Sequence, residues 1–233
     1  DPDRRPEDTR ILGDFESYSP NIVEGHSKWL KHTNCLVIKL SPMVDLTVLQ
    51  RTFQNIHSIY VIGYRNEVKE VLIHLTNDVV ETTEHVSIHI TKSQVWRYNG
   101  ESITPQMATS KHESILLEPS KPLIKSGLSH SYCKEMGLSP IKPLGFYYIN
   151  SQQIENFDGR QFKIIEQIDA SIKDVKKLLK KRGIKSIDIA QRHYFDDVRT
   201  IRNKLKIKEG GNLFLHFTTD DKGKSLCLLT ERI

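Results

Sequence analysis

Apolar positions along the chain change their spacing several times, and each change marks an element. Cys35-Leu36-Val37-Ile38-Lys39-Leu40 is a short, β-branched-rich run closed by Ser41-Pro42, the pattern of a buried strand in a parallel sheet. Val44, Leu46, Val48, Leu49 and Phe53 then recur at roughly helical steps up to Ile56. Ile59-Tyr60-Val61-Ile62 and Val68 to Leu75 follow as two strands around the polar turn Tyr64-Arg65-Asn66-Glu67. Strand, helix, strand, strand gives a βα unit finishing in a hairpin, one way for an open α/β sheet to end. A doubly wound sheet needs about four or more strands to cover its helices, so residues 1 to about 75 are expected to be the second half of a larger domain.

From Val86 the texture changes to alternation, in Val86-Ser87-Ile88-His89-Ile90, and then to a polar linker reaching about Glu113. After Glu118-Pro119, Leu123, Ile124, Leu128, Tyr132 and Met136 recur at three- and four-residue steps, which predicts one helix capped by Gly137. Strands at Phe146 to Ile149 and Phe162 to Ile168 complete a compact α+β module. The last module opens with Ser171 as an N-cap and a helix whose apolar stripe is Ile172, Val175, Leu178 and Leu179, ending before Gly183. A strand at Ile184 to Ala190, a helix from about Asp196 to Leu205, and two strands joined by Asp220-Asp221-Lys222-Gly223 follow.

Charge sharpens this division. The 233 residues carry a net charge of +5, but Lys173 to Lys208 holds 13 Lys or Arg against 4 Asp, which leaves 5 − 9 = −4 for the rest. Such localised positive charge fits a polyanion better than generic solubility does. Lys173, Lys176, Lys177, Lys180, Lys181 and Arg182 on the first helix, with Arg192, Arg199, Arg202 and Lys204 beyond it, are the candidate phosphate contacts. Tyr194 and Phe195 between them can stack on bases, which favours RNA over a merely solvated charged face.

Other chemistry is sparse. Three dispersed cysteines form neither a disulfide framework nor a metal cluster, a pattern suited to a reducing cytoplasm, and ten scattered histidines lack zinc-ligand spacing. No metal is expected. No window approaches the roughly 18 apolar residues of a membrane-spanning helix.

Asp1-Pro2-Asp3-Arg4-Arg5 resembles the acidic-Pro signature that follows the fourth strand of class I methyltransferases, although most such strings, taken bare, are simply turns. Ile38-Lys39-Leu40-Ser41-Pro42-Met43-Val44-Asp45 and Tyr64-Arg65-Asn66-Glu67-Val68-Lys69-Glu70 follow it. With them stand Glu118-Pro119-Ser120-Lys121, Phe157-Asp158-Gly159-Arg160, Lys181-Arg182-Gly183-Ile184 and Leu205-Lys206-Ile207-Lys208-Glu209-Gly210-Gly211. This ordered set, spanning nearly the whole chain, resembles a Bacteroidetes family of S-adenosylmethionine-dependent class I methyltransferases with C-terminal ferredoxin-like and THUMP-like domains.

The resemblance implies an α/β fold: a truncated Rossmann-like methyltransferase half over residues 1–83, a ferredoxin-like α+β domain over 84–168 and a small basic THUMP-like α+β domain over 169–233. It implies S-adenosylmethionine as methyl donor in the full-length protein and RNA, tRNA or rRNA, as substrate. Asp1, Pro2, Asp3 and Arg4 would line the transfer site. Ser41, Pro42 and Asp45, after a strand, and Arg65, Asn66 and Glu67, in the hairpin turn, are expected to contact substrate, the alternative for both being ordinary turns. Where the amino-methyltransferase pattern has a second Pro and an aromatic, this chain has Asp3 and Arg4, which puts base stacking there in doubt. The chain contains no G-x-G, so no cofactor is expected to bind it alone. The expected partner for activity is the missing N-terminal half of the methyltransferase domain. The alternative is a non-enzymatic RNA-binding or interaction module.

Overall fold

A computed structural model describes residues 15–104, 114–142 and 144–233. Its strands form two mixed sheets, and the chain divides into two compact units, residues up to 103 with 120–132, and 104–119 with 133–233.

In the first unit helix α1 (Ile22–Leu30) starts at Asn21, whose side chain accepts from the Val23 and Glu24 amides. The sheet contains β1 (Leu36–Leu40), β2 (Ile56–Tyr64), β3 (Glu67–Leu75), β4 (Glu84–Ile90) and β5 (Val95–Gly100), in the order β1-β3-β2-β4-β5. Both β1 and β2 are antiparallel to β3, so they run the same way with β3 between them. The expected hairpin between β2 and β3 is present, with Arg65 and Asn66 at φ of 50° and 61°, the paired left-handed residues that match a tight turn to strand twist. Helix α2 (Leu46–Thr52) is shorter than its apolar spacing suggests. Leu49, Phe53, Ile56, Ile59, Val61, Val71, Ile73 and Leu75 form the centre of the core.

Three expectations change. Among the described residues β1 pairs with β3 alone, and antiparallel; Ile38 and Leu40 point inward while Val37 is 56% exposed. A run of apolar residues reads as buried on both faces, and Val37 carries no polar signal to say otherwise. Next, β4 pairs parallel with β2 and carries β5 along its other edge. The border expected between residues 83 and 84 therefore falls between two strands of one sheet. Lastly, the single helix expected after Pro119 is two, α3 (Lys121–Lys125) and α4 (Ser129–Glu135). Gly127, at φ +79°, ends α3 with its amide on Ile124 and the Leu128 amide on Leu123, a Schellman turn that keeps Leu123, Leu128 and Tyr132 buried across the break.

The second unit holds β6 (Ile115–Pro119), β7 (Ser139–Pro140), β8 (Tyr148–Asn150), β9 (Gly159–Asp169), β10 (Asp188–Gln191), β11 (Leu213–Thr219) and β12 (Ser225–Arg232), ordered β10-β11-β12-β9-β6-β8-β7. Among the described strands of this unit β10 and β11 alone pair in parallel, extended by an isolated parallel bridge between Ser186 and Lys208. Helices α5 (Ile172–Lys181) and α6 (Val198–Leu205) cover one face. Strand alternation divides the interior: Leu215, Phe217, Cys227 and Leu229 pack with Val175, Leu179, Ile201 and Leu205, whereas Phe162 and Leu228 pack with Leu116 and Tyr147. Because β9 pairs with β12 on one side and β6 on the other, the border expected at 168/169 lies at the end of a strand shared by both neighbouring modules. No helix among the described residues is long and apolar enough to cross a membrane.

Candidate nucleic-acid interface

Helix α5 has the two opposed faces its sequence predicts. Ser171 caps it through the Asp174 amide at 3.1 Å, and Val175, Leu178 and Leu179 are buried. Lys173, Lys176, Lys177, Lys180 and Lys181 are all exposed, and among the described residues none lies within ion-pair distance of a carboxylate. Like charges at three- and four-residue spacing repel, so this face costs the helix stability rather than adding to it. Beside it, a groove of about 430 Å³ is lined by Glu166, Ile168, Asp169, Asp174, Lys177, Leu178 and Lys181.

The other basic candidates separate into two groups. Arg199 is exposed on α6, which Asp197 caps through the Thr200 amide at 2.7 Å. Arg182 forks onto Glu166 at 3.1 and 2.6 Å, Lys204 meets Asp196 at 2.6 Å, and Arg202 donates to the Ile187 carbonyl at 3.3 Å. The exposed pairs of Arg182 and Lys204 can exchange with a phosphate, whereas the bond of Arg202 is partly buried. Arg192 cannot do so freely, because its Nε and Nη2 donate to Glu118 Oε1 at 3.2 and 3.1 Å.

Glu118 was not among the candidate site residues and is a deeply buried carboxylate, 3% exposed. Arg160 occupies its other oxygen, donating from Nε at 2.9 Å and from Nη2 to the same atom. Burial pushes the Glu118 carboxyl up, and the guanidiniums of Arg160 and Arg192 overcome this and hold it below the usual carboxylate range. The register places Glu118 opposite Arg160 and Pro119 opposite Gly159. A side chain at Gly159 would collide with the Glu118 carbonyl and the Pro119 backbone. The Glu118-Pro119 and Asp158-Gly159-Arg160 blocks are thus two halves of one close strand crossing. Behind them His216 shares a hydrogen bond with the Tyr147 hydroxyl at 3.1 Å and packs against Phe162 at 4.5 Å between ring centres. Burial, reinforced by Arg160 and opposed by Glu118, brings the imidazole down to about 4, so it is neutral.

In the first unit, β1 and β2 run together, so the loops after them leave the same edge of the sheet, and α3 ties them. Asn66 Oδ1 accepts from the Lys121 amide at 2.8 Å, and Lys125 Nζ donates to the Val44 carbonyl at 2.6 Å. Gly63 is required here, since a side chain would strike Pro122 of α3. Ser41 Oγ accepts from Met43 N at 3.2 Å. Asp45 caps α2 through Thr47 at 2.8 Å and Val48 at 3.3 Å, and these amides lower its pKa. Pro42 is half-buried in this turn. Arg65 lies over the Tyr64 ring at 5.1 Å, and Glu67 meets Lys69 at 2.6 Å. The structure thus brings Ser41, Asp45 and Asn66 to one edge and engages each in bonds that hold the loops. Asp1, Pro2, Asp3 and Arg4 lie outside the described residues. No cluster of three or more metal-ligating side chains occurs among the described residues.

Residues 159–232 match a family described as THUMP domain-like, a span running from the start of β9 to the end of β12 and including α5 and α6. No curated protein matches the chain. The fold is similar to a crystal structure from Porphyromonas gingivalis of a protein whose name assigns it, provisionally, to the methyltransferases. The TM-score is 0.82 at 23% identity, over 94% of this chain and 56% of that one. At that identity the likeness establishes the fold, and the chain spans just over half the length of that protein.

Proposed function

We propose that this chain is part of an S-adenosylmethionine-dependent RNA methyltransferase, in which the α5–α6 face of the second unit holds the RNA. The observation that carries this reading is the coincidence of the THUMP domain-like match with a helix face of five lysines lacking carboxylate partners among the described residues. THUMP-type domains accompany RNA-modifying enzymes, and unpaired lysines bind polyanions by releasing counterions. The similarity to a methyltransferase structure supports the enzymatic half, as does the carboxyl edge of the first sheet, where open α/β folds place ligands. There β1 and β2 run the same way with antiparallel β3 between them, which fits the end of a Rossmann-like sheet. Substrate would approach near Ser41, Pro42, Asp45 and Arg65 to Glu67, with Asp1 to Arg4 beside the reacting methyl.

The donor itself finds no cradle in the described residues: there is no G-x-G in the sequence, and Ser41, Asp45 and Asn66 are engaged in the chain's own bonds. A further segment of polypeptide would supply the cofactor loop. A second reading is a non-enzymatic RNA-binding module, which the same lysine face of α5 would serve without any methyl donor. Three free cysteines fit a cytoplasmic location for either. Replacing Lys176, Lys177, Lys180 and Lys181 together by Glu is expected to abolish retention on immobilised tRNA or rRNA while thermal unfolding stays unchanged. Retention equal to the wild type would refute the reading.

A further inference from the structure

An exposed phenylalanine on a well-anchored loop is unusual, because loops ordinarily carry polar residues at their tips and large apolar groups turn inward. Phe195 is 77% exposed. The segment that carries it is fixed at successive residues. Arg192 bonds the buried Glu118 through its side chain and the Phe217 carbonyl through its amide. The His193 carbonyl accepts from Thr219 Oγ1 at 3.2 Å. Tyr194 donates its hydroxyl to Ala170 at 3.1 Å and packs on Phe217 at 5.1 Å between ring centres. Tyr194 and Phe195 then lie 4.3 Å apart at 35°, so the exposed ring is backed by a second aromatic. Lys204 Nζ stands 5.8 Å from its centre.

A groove of about 380 Å³ runs beside this ring, lined by Ile172, Tyr194 and Phe195 with Ser171, Ser225 and two lysines, Lys204 and Lys224. Each lysine is balanced by an aspartate at its rim, Asp196 and Asp169, both at 2.6 Å. A flat, apolar floor with polar edges suits a heterocycle, and lysines able to exchange an aspartate for a phosphate suit the backbone attached to it. Ser171 and Ile172 open helix α5, so the groove adjoins the start of the lysine face.

We propose that the Phe195 groove is a binding site for an unpaired nucleotide of RNA, with the base stacked on Phe195 and its phosphate drawn by Lys204. This rests on the reading of α5 as an RNA-holding face and adds to it the class of substrate: a single strand, loop or end, since a duplex keeps its bases stacked inside and offers no free face. Arg192 acts here as a positioning residue, holding the loop through Glu118 rather than touching RNA.

The test compares one fluorescein-labelled RNA sequence as a single strand and as a duplex, by anisotropy, on the full chain. Phe195→Ala is expected to weaken single-strand binding about tenfold, the loss of one stacked base, while duplex binding and the unfolding temperature stay at wild-type values. Phe195→Trp is expected to keep the affinity and to show quenching by the single strand beyond that of the wild type, which reports only Trp29 and Trp96. If the four-lysine variant loses binding but Phe195→Ala binds both forms like the wild type, the groove proposal is overturned and the lysine reading stands. If the wild type binds neither RNA, both fall.

Discussion

Arg192 and the lysines of α5 belong to the same basic stretch of sequence, yet the molecule uses them in opposite ways. Arg192, with Arg160, neutralises a carboxylate that is 3% exposed, and the three side chains join β6, β9 and the end of β10. The lysines face solvent, with no carboxylate in reach among the described residues. The first arrangement is held because removing either partner would strand a buried charge; the second persists at a cost to the helix that carries it. A count of basic residues along a chain mixes the two. Only burial and pairing separate charge that builds the fold from charge left for a partner.

The comparison can be broken from either side. Glu118→Gln should be the largest effect on folding, destabilising the second unit by about 3 kcal/mol because two guanidiniums lose their counter-charge in a buried setting. A loss in urea unfolding well under 1 kcal/mol would make the cluster dispensable and end the contrast.

Acid should act on the same region in two stages. The folded His216 titrates near 4 against an ordinary 6.5, so between those values the unfolded chain binds the extra proton. Its contribution is complete above about pH 6.5 and is lost as pH falls toward 4, amounting to about 3 kcal/mol. Glu118, held below its ordinary 4.5, adds a loss only as pH drops further. Whatever His216→Leu does to absolute stability, it should remove most of the slope between pH 6.5 and 4, the remainder coming from His193, whose imidazole pKa is also lowered by burial. An unchanged slope would place the titrating group elsewhere.

The smallest effect is the most diagnostic in sign. Lys173 lies in the first turn of α5, where the helix dipole disfavours a cation. Lys173→Glu should raise stability by about 0.5 kcal/mol while weakening RNA binding. A change of the same sign in both would mean that this lysine serves the fold.

Much of this architecture was legible in the sequence, and the reasons differ by element. Helix α5, its Ser171 cap and the β2–β3 hairpin were evident because their signals are local: apolar spacing, a cap and a polar turn. The break at Gly127 was hidden because a Schellman turn preserves the three- and four-residue recurrence of Leu123, Leu128 and Tyr132 that predicts a continuous helix. The Glu118 cluster was hidden because its partners are 42 and 74 residues away, and only strand register brings them together. Likewise Asn66 reads as a turn residue, and its bond to Lys121 lies 55 residues on. The one available clue was composition: Glu118-Pro119 and Gly159-Arg160 combine a charge with a residue of special backbone geometry, as a close strand crossing demands.

The most direct test of the central claim is the salt dependence of RNA binding by the unmodified chain. If the α5 lysines neutralise about four phosphates, the logarithm of the binding constant should fall against the logarithm of salt concentration with a slope of about −3, and replacing Lys176, Lys177, Lys180 and Lys181 by Glu should bring that slope close to zero. A wild-type slope already near zero, or one that the four replacements leave intact, would contradict the assignment of this face to RNA.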